Sequence, residues 1–431
     1  MVGRTSYNEN QHTKTSKIWQ SIRIGNILKY IKGRKPYDVN LKYGDGYLPY
    51  LSTEYLRNGE KTLYAKISEG IVKVNDGDII LLWDGSNAGE FFIGKEGILS
   101  STMVKIQFNE QDIDSVYLFY TLKMRENILR GHTRGTGIPH VDKEVFENLE
   151  IPLPPLPEQQ KIAEILSTVD EVIEKVDKAI EKTERLKKGL MQGLLSGKLK
   201  VVESNGQLRL KIRDAKEFGI SPIGEIPKEW KVVKLEDIIS ACENGIWGEE
   251  PIPGDIAYPV IRSTEITHDG KIDTTNVAMR RISGEKLPKF SLQNGDIILV
   301  ASSGSSHLIG RAALFQMQNN GKIYLFSNFM LRIRPKNINS KFLFYYLKSS
   351  YYQRFLKYLQ QTSTGLKNLP KKEFIKFKLP NPPLSEQEKI AEVIQNIDRR
   401  LELFNNKRLK FEKIKQQLMN DLLTGKRRVK L

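Results

Sequence analysis

One cysteine, Cys242, stands in a chain of 431 residues, so no internal disulfide and no cysteine-based zinc finger can form. Such sparing use of cysteine is expected of a protein of the reducing cytoplasm. Histidine is scarce as well: His12, His132, His140, His268 and His307 show no metal-ligand spacing and read as surface or turn residues. No segment approaches the roughly 18 apolar residues of a membrane helix. The first residues, MVGRTSYNENQHTKTSK, lack the apolar core of a signal peptide. No Gly-x-x-x-x-Gly-Lys-Ser/Thr loop is present, which argues against ATP hydrolysis by this chain. The expectation is a cytoplasmic protein holding no metal or nucleotide of its own.

Positive charge is what the sequence has in excess. Lys and Arg number 68 against 51 Asp and Glu, a formal net charge of +17. An imbalance of that size implies an acidic partner, most often nucleic acid. The length allows two or three domains with cores of their own.

The chain also repeats itself. PPLPEQQKIAEIL at 154–166 returns as PPLSEQEKIAEVI at 382–394, and Leu194-Leu195-Ser196-Gly197-Lys198 returns as Leu422-Leu423-Thr424-Gly425-Lys426. Of the 45 aligned positions from Pro154 to Lys198, 20 are identical to their partners, which chance does not produce. Upstream the likeness thins: Asp76-Gly77-Asp78-Ile79-Ile80 matches Asn294-Gly295-Asp296-Ile297-Ile298, and Trp19 pairs with Trp230. Each half is therefore a diverged globular part followed by a better-kept helical part.

In the globular parts, β-rich runs such as Gly77–Trp83 and Gly295–Ala301 are bounded by Gly, Ser and Asn turns, as strands are. Ser115–Arg130 and Ser340–Leu359 read as aromatic helices whose rings, at helical spacing, pack into a core rather than stack on bases. In the helical parts, Ile162, Leu166, Val169, Ile173, Val176 and Ile180 step by 4 and 3, a heptad seam. Ile390, Ile394, Ile397, Leu401 and Phe404 keep the same steps. Pro157 suits a first helical turn, Ser385 with Glu388 forms a capping box, and Gly197 and Gly425 sit where a helix stops. Some 38 residues of helix span about 57 Å. Neither helix can bury its stripe alone, but two seams of equal length can bury each other. The expected fold is α+β: two globular mixed α/β domains separated by two long antiparallel helices, a coiled coil within a pseudo-two-fold tandem repeat. The boundaries are 1–153 (with 1–16 a flexible tail), 154–200 for the first helix, 201–381 for a linker and second domain, and 382–431 for the second helix. A two-fold object suits duplex DNA with two half-sites, and a rigid spacer predicts a fixed gap of unread base pairs.

Candidate DNA contacts are polar, glycine-flanked loops at matching places. The first, after a strand in each copy, carries Ser86 and Asn87, matched by Ser302, Ser303 and Ser305. The second carries Arg130, Thr133 and Arg134, matched by Thr364, Lys367 and Asn368. The third carries Ser52 and Thr53, matched by Arg262, Ser263 and Thr264. Arg34, Lys35 and Arg311 join the arginines and lysines available to phosphates or guanine. Gly, Ser and Asn also dominate plain turns, so each loop has a purely structural alternative.

Asn381-Pro382-Pro383-Leu384 imitates the Asn-Pro-Pro-aromatic motif of adenine methyltransferases, but Leu384 replaces the aromatic and the first copy has Leu153 in place of Asn. A stand-alone methyltransferase is therefore the weaker alternative. A protein-only coiled-coil scaffold is the other, and it has no need of the positive charge.

The segment GIPHVDKEVFENLEIPLPPLPEQQKIAEIL (137–166), its second copy GLKNLPKKEFIKFKLPNPPLSEQEKIAEVI (365–394) and the LLSGK and LLTGK endings resemble specificity subunits of type I restriction-modification systems. The resemblance spans almost the whole chain. It implies two target-recognition domains, each reading one half of a split, asymmetric double-stranded DNA target, and paired helices that set the gap. It also implies docking of two methyltransferase subunits and recruitment of restriction subunits. Catalysis, S-adenosylmethionine, ATP and magnesium then belong to those partners, and this chain is not an enzyme.

Overall fold

The computed structural model describes residues 19–59, 63–109, 111–135, 137–316, 321–361 and 368–431. The tail expected over 1–16, and the candidates Thr364 and Lys367, lie outside the described residues. The chain forms two compact units, Met1–Lys178 with Asn406–Leu431, and Ala179–Asn405. Each holds one globular body and a stretch of both long helices.

Unit 1 is built on an antiparallel sheet in the order Lys29–Lys32, Met103–Gln107, Ile79–Leu82, Phe91–Ile93. Its central run Ile79-Ile80-Leu81-Leu82 is buried on both faces. Ile79 and Leu81 pack with Val104, Leu118 and Phe146 on one side, and Ile80 and Leu82 with Leu51, Phe92 and Met103 on the other. A second sheet runs Val39–Asn40, Tyr64–Lys66, Tyr47–Leu51, Gly97–Leu99, Lys73–Val74, with one parallel pairing, Leu51 opposite Leu99.

Unit 2 repeats the plan. Its first sheet is ordered Ile239–Asn244, Met330–Pro335, Ile297–Val300, Ala312–Leu314, and its second Ala278–Arg281, Ala257–Ile261, Leu325–Phe326, again with one parallel pairing, Ile261 opposite Phe326. Ahead of the second body, the chain leaving the first long helix folds as two hairpins, Leu199–Ser204 with Gln207–Ile212 and Phe218–Ser221 with Gly224–Pro227. Asn205-Gly206, both at positive φ, makes the tight turn of the first.

The repeated Gly-Asp-Ile-Ile block has a structural cause. Asp78 accepts the Asn75 backbone N–H at 2.6 Å and pairs with Lys105 at 2.6 Å, while Asp296 accepts the Gln293 N–H at 2.8 Å and takes Arg334 through two 2.8 Å bonds. In each copy one aspartate fastens the turn to a cation on the neighbouring strand.

The single aromatic helix expected in each body is instead two: Ser115–Lys123 then Glu126–Gly131, and Ser340–Tyr346 then Ser350–Gln361. The first break lets Lys123 donate to the Phe91 carbonyl at 2.9 Å and the Phe91 N–H donate to Glu126 at 2.7 Å. At the second, the Ser349 hydroxyl accepts the Tyr352 N–H. Tyr117, Tyr120, Phe342, Tyr345, Tyr346 and Tyr352 are buried, so these rings are core.

The long helices are Leu156–Leu195 and Leu384–Leu422. Pro157 lies in the first turn as expected. Ser385 is not a cap, because the second helix already begins at Leu384 and the Pro383 carbonyl accepts the N–H groups of Glu386 and Gln387. Gly197 (φ 76°) and Gly425 (φ 74°) close the helices in the left-handed region that other residues avoid. In unit 1 the helices run antiparallel: Asp170 pairs with Lys415 and, seven residues on, Asp177 pairs with Arg408 seven residues back, both at 2.6 Å. In unit 2 Lys187 pairs with Asp398 at 2.5 Å, and Leu194 and Leu195 share a core with Ile390, Ala391 and Ile394, again antiparallel.

Burial along the seams is uneven. Ile162 and Leu166 are buried with Tyr117, Tyr120, Met419 and Leu422, and Ile390 and Ile394 are buried in the core of unit 2. Val176 and Ile397 are also buried, whereas Val169, Ile173, Ile180, Leu401 and Phe404 are only half-buried. The best-buried seam residues thus owe their burial as much to the globular bodies as to the opposite helix. Two polar joints recur in the same way. Gln159 Nε2 donates to the Pro154 carbonyl and its Oε1 accepts the Asp114 N–H, as Gln387 does with Pro382 and Asn339. The Tyr120 hydroxyl donates to Asp170 and the Tyr345 hydroxyl to Asp398, the same aspartates that pair across the helices.

Candidate nucleic-acid interface

In unit 1 the buried strand Ile79–Leu82 delivers Trp83 to the surface, where its ring stacks on Tyr30 at 4.9 Å and meets the edge of Phe146. The backbone N–H groups of Trp83 and Asp84 both donate to the Thr102 carbonyl, at 2.9 and 3.0 Å. Gly85 donates to the Pro139 carbonyl at 2.8 Å, and Val141 donates to the Trp83 carbonyl at 2.9 Å. The first and second candidate loops are therefore one surface, with Ser86, Asn87, Thr133 and Arg134 exposed upon it. Thr133–Arg134 pairs antiparallel with His140–Val141, which gives the second loop a rigid base.

Unit 2 makes the same construction from different side chains. Ala301 and Ser302 donate to the Phe329 carbonyl at 2.9 and 3.0 Å, Leu369 donates to the Ala301 carbonyl at 2.7 Å, and Ser302 bridges Asn368. Ser305 and Asn368 are exposed, Ser302 and Ser303 half-buried, and the Ser303 hydroxyl accepts the Ser305 N–H at 3.1 Å. Arg311 is half-buried at the start of the strand Ala312–Leu314.

The third loop is occupied with its own structure. Ser52 caps the short helix Thr53–Asn58 by accepting the Tyr55 N–H at 3.1 Å, and Thr53 opens that helix. Arg262 is gripped by Glu265, which accepts from its Nε, its Nη2 and its backbone N–H, while Ser263 and Thr264 form the turn between them. Burial pushes the Glu265 carboxyl up, but its bonds from Arg262 outweigh this and hold it below the usual carboxylate range.

The cations around the unit 1 surface also have partners. Arg134 pairs with Asp142 and Glu144, Arg130 with Glu90 and Glu126, and Lys32 with Asp84 at 2.8 Å. A phosphate approaching this face exchanges places with a carboxylate rather than meeting a bare cation. Sequence reasoning missed Lys32, Thr102 and His140 here, because strand pairing alone brings them to the loop. It also missed how far Tyr37, Leu41 and Tyr43 project, at 97%, 79% and 68% exposed beside Arg34, Lys35 and Lys42. At Gly33 and Gly245 a Cβ would fall 2.1 Å from the Ser100 carbonyl and 1.9 Å from that of Phe326. Each marks where the backbone crosses to the second sheet.

Asn381 of the Asn-Pro-Pro-Leu segment accepts from Gln387 at 2.8 Å at the mouth of the second helix, a structural use. Among the described residues no group of three His, Cys, Asp or Glu side chains is placed to hold a metal ion, and no helix is long and apolar enough to cross a membrane.

The family described as "Type I restriction modification DNA specificity domain" matches residues 16–184 and 227–413, once on each repeat. The chain is 38% identical to the type I restriction enzyme MjaVIII specificity subunit of Methanocaldococcus jannaschii, over 99% of this chain and 96% of that one. It is 22% identical to the type I restriction enzyme EcoKI specificity subunit of Escherichia coli, over 89% and 82%. A solved type I restriction-modification S subunit from M. genitalium shares the fold, with a TM-score of 0.60 at 17% identity over 95% of this chain and 97% of that one.

Proposed function

The chain belongs to the type I restriction-modification DNA specificity family, and from that premise we propose how it reads DNA. It is a DNA-recognition subunit, not an enzyme, and works in a restriction-modification assembly whose catalysis lies on other chains. Each unit reads one half of a bipartite target. The reading surface is the loop pair at the end of the buried central strand: Ser86 and Asn87 with Thr133 and Arg134 in unit 1, and Ser302, Ser303 and Ser305 with Asn368 in unit 2.

One observation carries this assignment. The same backbone bonds hold the first loop against His140 and Val141 in unit 1 and against Asn368 and Leu369 in unit 2, yet the side chains so presented differ, as two different half-sites require. Short hydroxyl and amide groups suit base edges, and the paired arginines suit phosphates and guanine. Two methyltransferase subunits dock on the helical parts, restriction subunits join them, and S-adenosylmethionine, ATP and magnesium are bound by those partners. The helix pair sets the gap between half-sites.

The test is binding of the full chain, with its methyltransferase partner, to a library of duplexes bearing two short half-sites at varied spacing. One bipartite sequence at one spacing should be preferred over random DNA at moderate salt. Affinity should fall steeply with salt, because each neutralised phosphate adds about −0.9 to the logarithmic slope. Equal affinity for all duplexes, with a flat salt response, would overturn the proposal and favour a protein-binding scaffold.

A further inference from the structure

Each body is joined to the helices by one arrangement, made from segments far apart in the chain. In unit 1 the Trp19 indole N–H donates to Glu158 at 3.1 Å, and Arg428 donates to both oxygens of that carboxylate at 2.5 and 2.6 Å with its guanidinium 5.1 Å from the Trp19 ring. In unit 2 the Trp230 indole N–H donates to Glu386 at 3.0 Å, and Arg213 donates to the same carboxylate with its guanidinium 5.7 Å from the Trp230 ring. The glycine that ends a helix abuts the tryptophan each time: a Cβ on Gly425 would lie 3.2 Å from Trp19, and one on Gly197 3.1 Å from Trp230.

The joint sits where movement would matter. Trp19 immediately precedes the strand Gln20–Arg23, which pairs with Glu150–Leu153, the strand leading into the first long helix. Trp230 precedes Lys231–Lys234, paired with Lys378–Asn381 before the second. Glu158 and Glu386 stand in the first turns of those helices, whereas Arg428 and Arg213 arrive from the segment that follows the opposite helix. Each arginine thus closes a triangle between its body, the helix leaving that body and the segment after the other helix. Arg428, bidentate on Glu158, and Arg213, forked between Glu386 and Glu229, each lie beside an aromatic ring, which fixes direction as well as distance.

We propose that Arg428 and Arg213 are positioning residues for bipartite reading: each orients one recognition body on the helix pair, so that gap length is discriminated, without touching DNA. Arg428 serves unit 1 and Arg213 serves unit 2. The proposal rests on the DNA-reading function above.

The full chain with its methyltransferase partner is tested on its preferred duplex, on the same duplex with the gap lengthened by one base pair, and on duplexes scrambled in either half-site. Arg428→Ala should cut the preference for the correct gap by about tenfold, while discrimination against scrambled half-sites changes less. Arg428→Lys, which keeps charge but not the planar fork, should restore it in part. Trp19→Phe, which removes the indole donor and trims the ring but keeps an aromatic face, is the milder variant should Arg428→Ala fail to fold, and it should shift gap preference in the same direction. Hydrogen exchange supplies a readout free of DNA. Amides of Gln20–Arg23 and Glu150–Leu153 should exchange about tenfold faster in Arg428→Ala, those of Lys231–Lys234 and Lys378–Asn381 should not, and Arg213→Ala should reverse the pattern. An unchanged gap preference, or exchange that rises equally in both units, overturns the proposal. If the unaltered chain prefers no bipartite duplex, the DNA-reading function fails instead, and the exchange pattern still decides whether the joint exists.

Discussion

Removing Glu386 should destabilise the protein more than removing Glu158, although the two occupy equivalent places. The difference lies in their arginines. The Arg213 side chain is 1% exposed, and its Nε has no hydrogen-bond partner among the described residues. It depends on Glu386, on Glu229 at 2.7 Å and more distantly on Glu217. Glu386→Ala leaves a guanidinium and the Trp230 N–H buried with too few acceptors. Breaking a buried pair from one side costs about 3–5 kcal/mol, and the surviving Glu229 contact argues for the lower end. The Arg428 side chain is 40% exposed, so after Glu158→Ala it turns to water. The loss there is mainly the Trp19 bond and a charged hydrogen bond, about 1–2 kcal/mol. Units of some 200 residues shift by about 2–4 °C per kcal/mol. Scanning calorimetry, deconvoluted into two transitions, should show unit 2 falling by about 6–12 °C in Glu386→Ala and unit 1 by about 2–8 °C in Glu158→Ala. Glu386→Gln keeps an acceptor for Trp230 and should fall between the unaltered chain and Glu386→Ala. Equal shifts, or the reverse order, would refute the claim that burial of the arginine governs the cost.

Other outcomes follow from groups elsewhere. Burial, with Lys187 nearby, pushes the Lys348 ammonium down to about 8. Its folded value lies below its unfolded one of about 10.4, so the charged form opposes folding fully below pH 8, and the opposition fades as pH rises between the two. Lys348→Met should therefore flatten the rise in stability over that window in urea titrations, and an unchanged slope would count against it. Burial likewise pushes the Cys242 thiol up to about 11, with Lys371 opposing and Glu243 adding. Alkylation by iodoacetamide at pH 8 should be about 100-fold slower in the native chain than in urea. Inserting four residues, about one helical turn, into either long helix should change the preferred gap or abolish binding. An unaltered gap would mean that the helices do not set it.

Long-range regularity made the architecture legible. The Pro-Pro-Leu-x-Glu-Gln blocks and the 4-3 steps of Ile162, Leu166 and Ile390, Ile394 are local patterns that survive without coordinates. What those blocks do was not legible, because Trp19 and Arg428 on Glu158, Trp230 and Arg213 on Glu386, Asp114 on Gln159 and Asn339 on Gln387 lie 45 to 270 residues away. The aromatic helices looked continuous for a similar reason: the demand for the break after Lys123 comes from Phe91, 32 residues upstream. Among candidate contacts, the first two loops of unit 1 meet, and Asn368 meets the first loop of unit 2, because strand ends place them together. Arg262 could not be known from sequence to be held by Glu265, nor Ser52 to be used as a helix cap, since both residue types suit DNA equally well.

The most direct test of two independent readers is to map modified bases in cells carrying the complete system, before and after Ser86 and Asn87 are both changed to Ala. The base requirement should relax in one half of the modified sequence, with the other half and the gap unchanged. Loss of specificity in both halves together, or in neither, would contradict the assignment of one half-site to each unit.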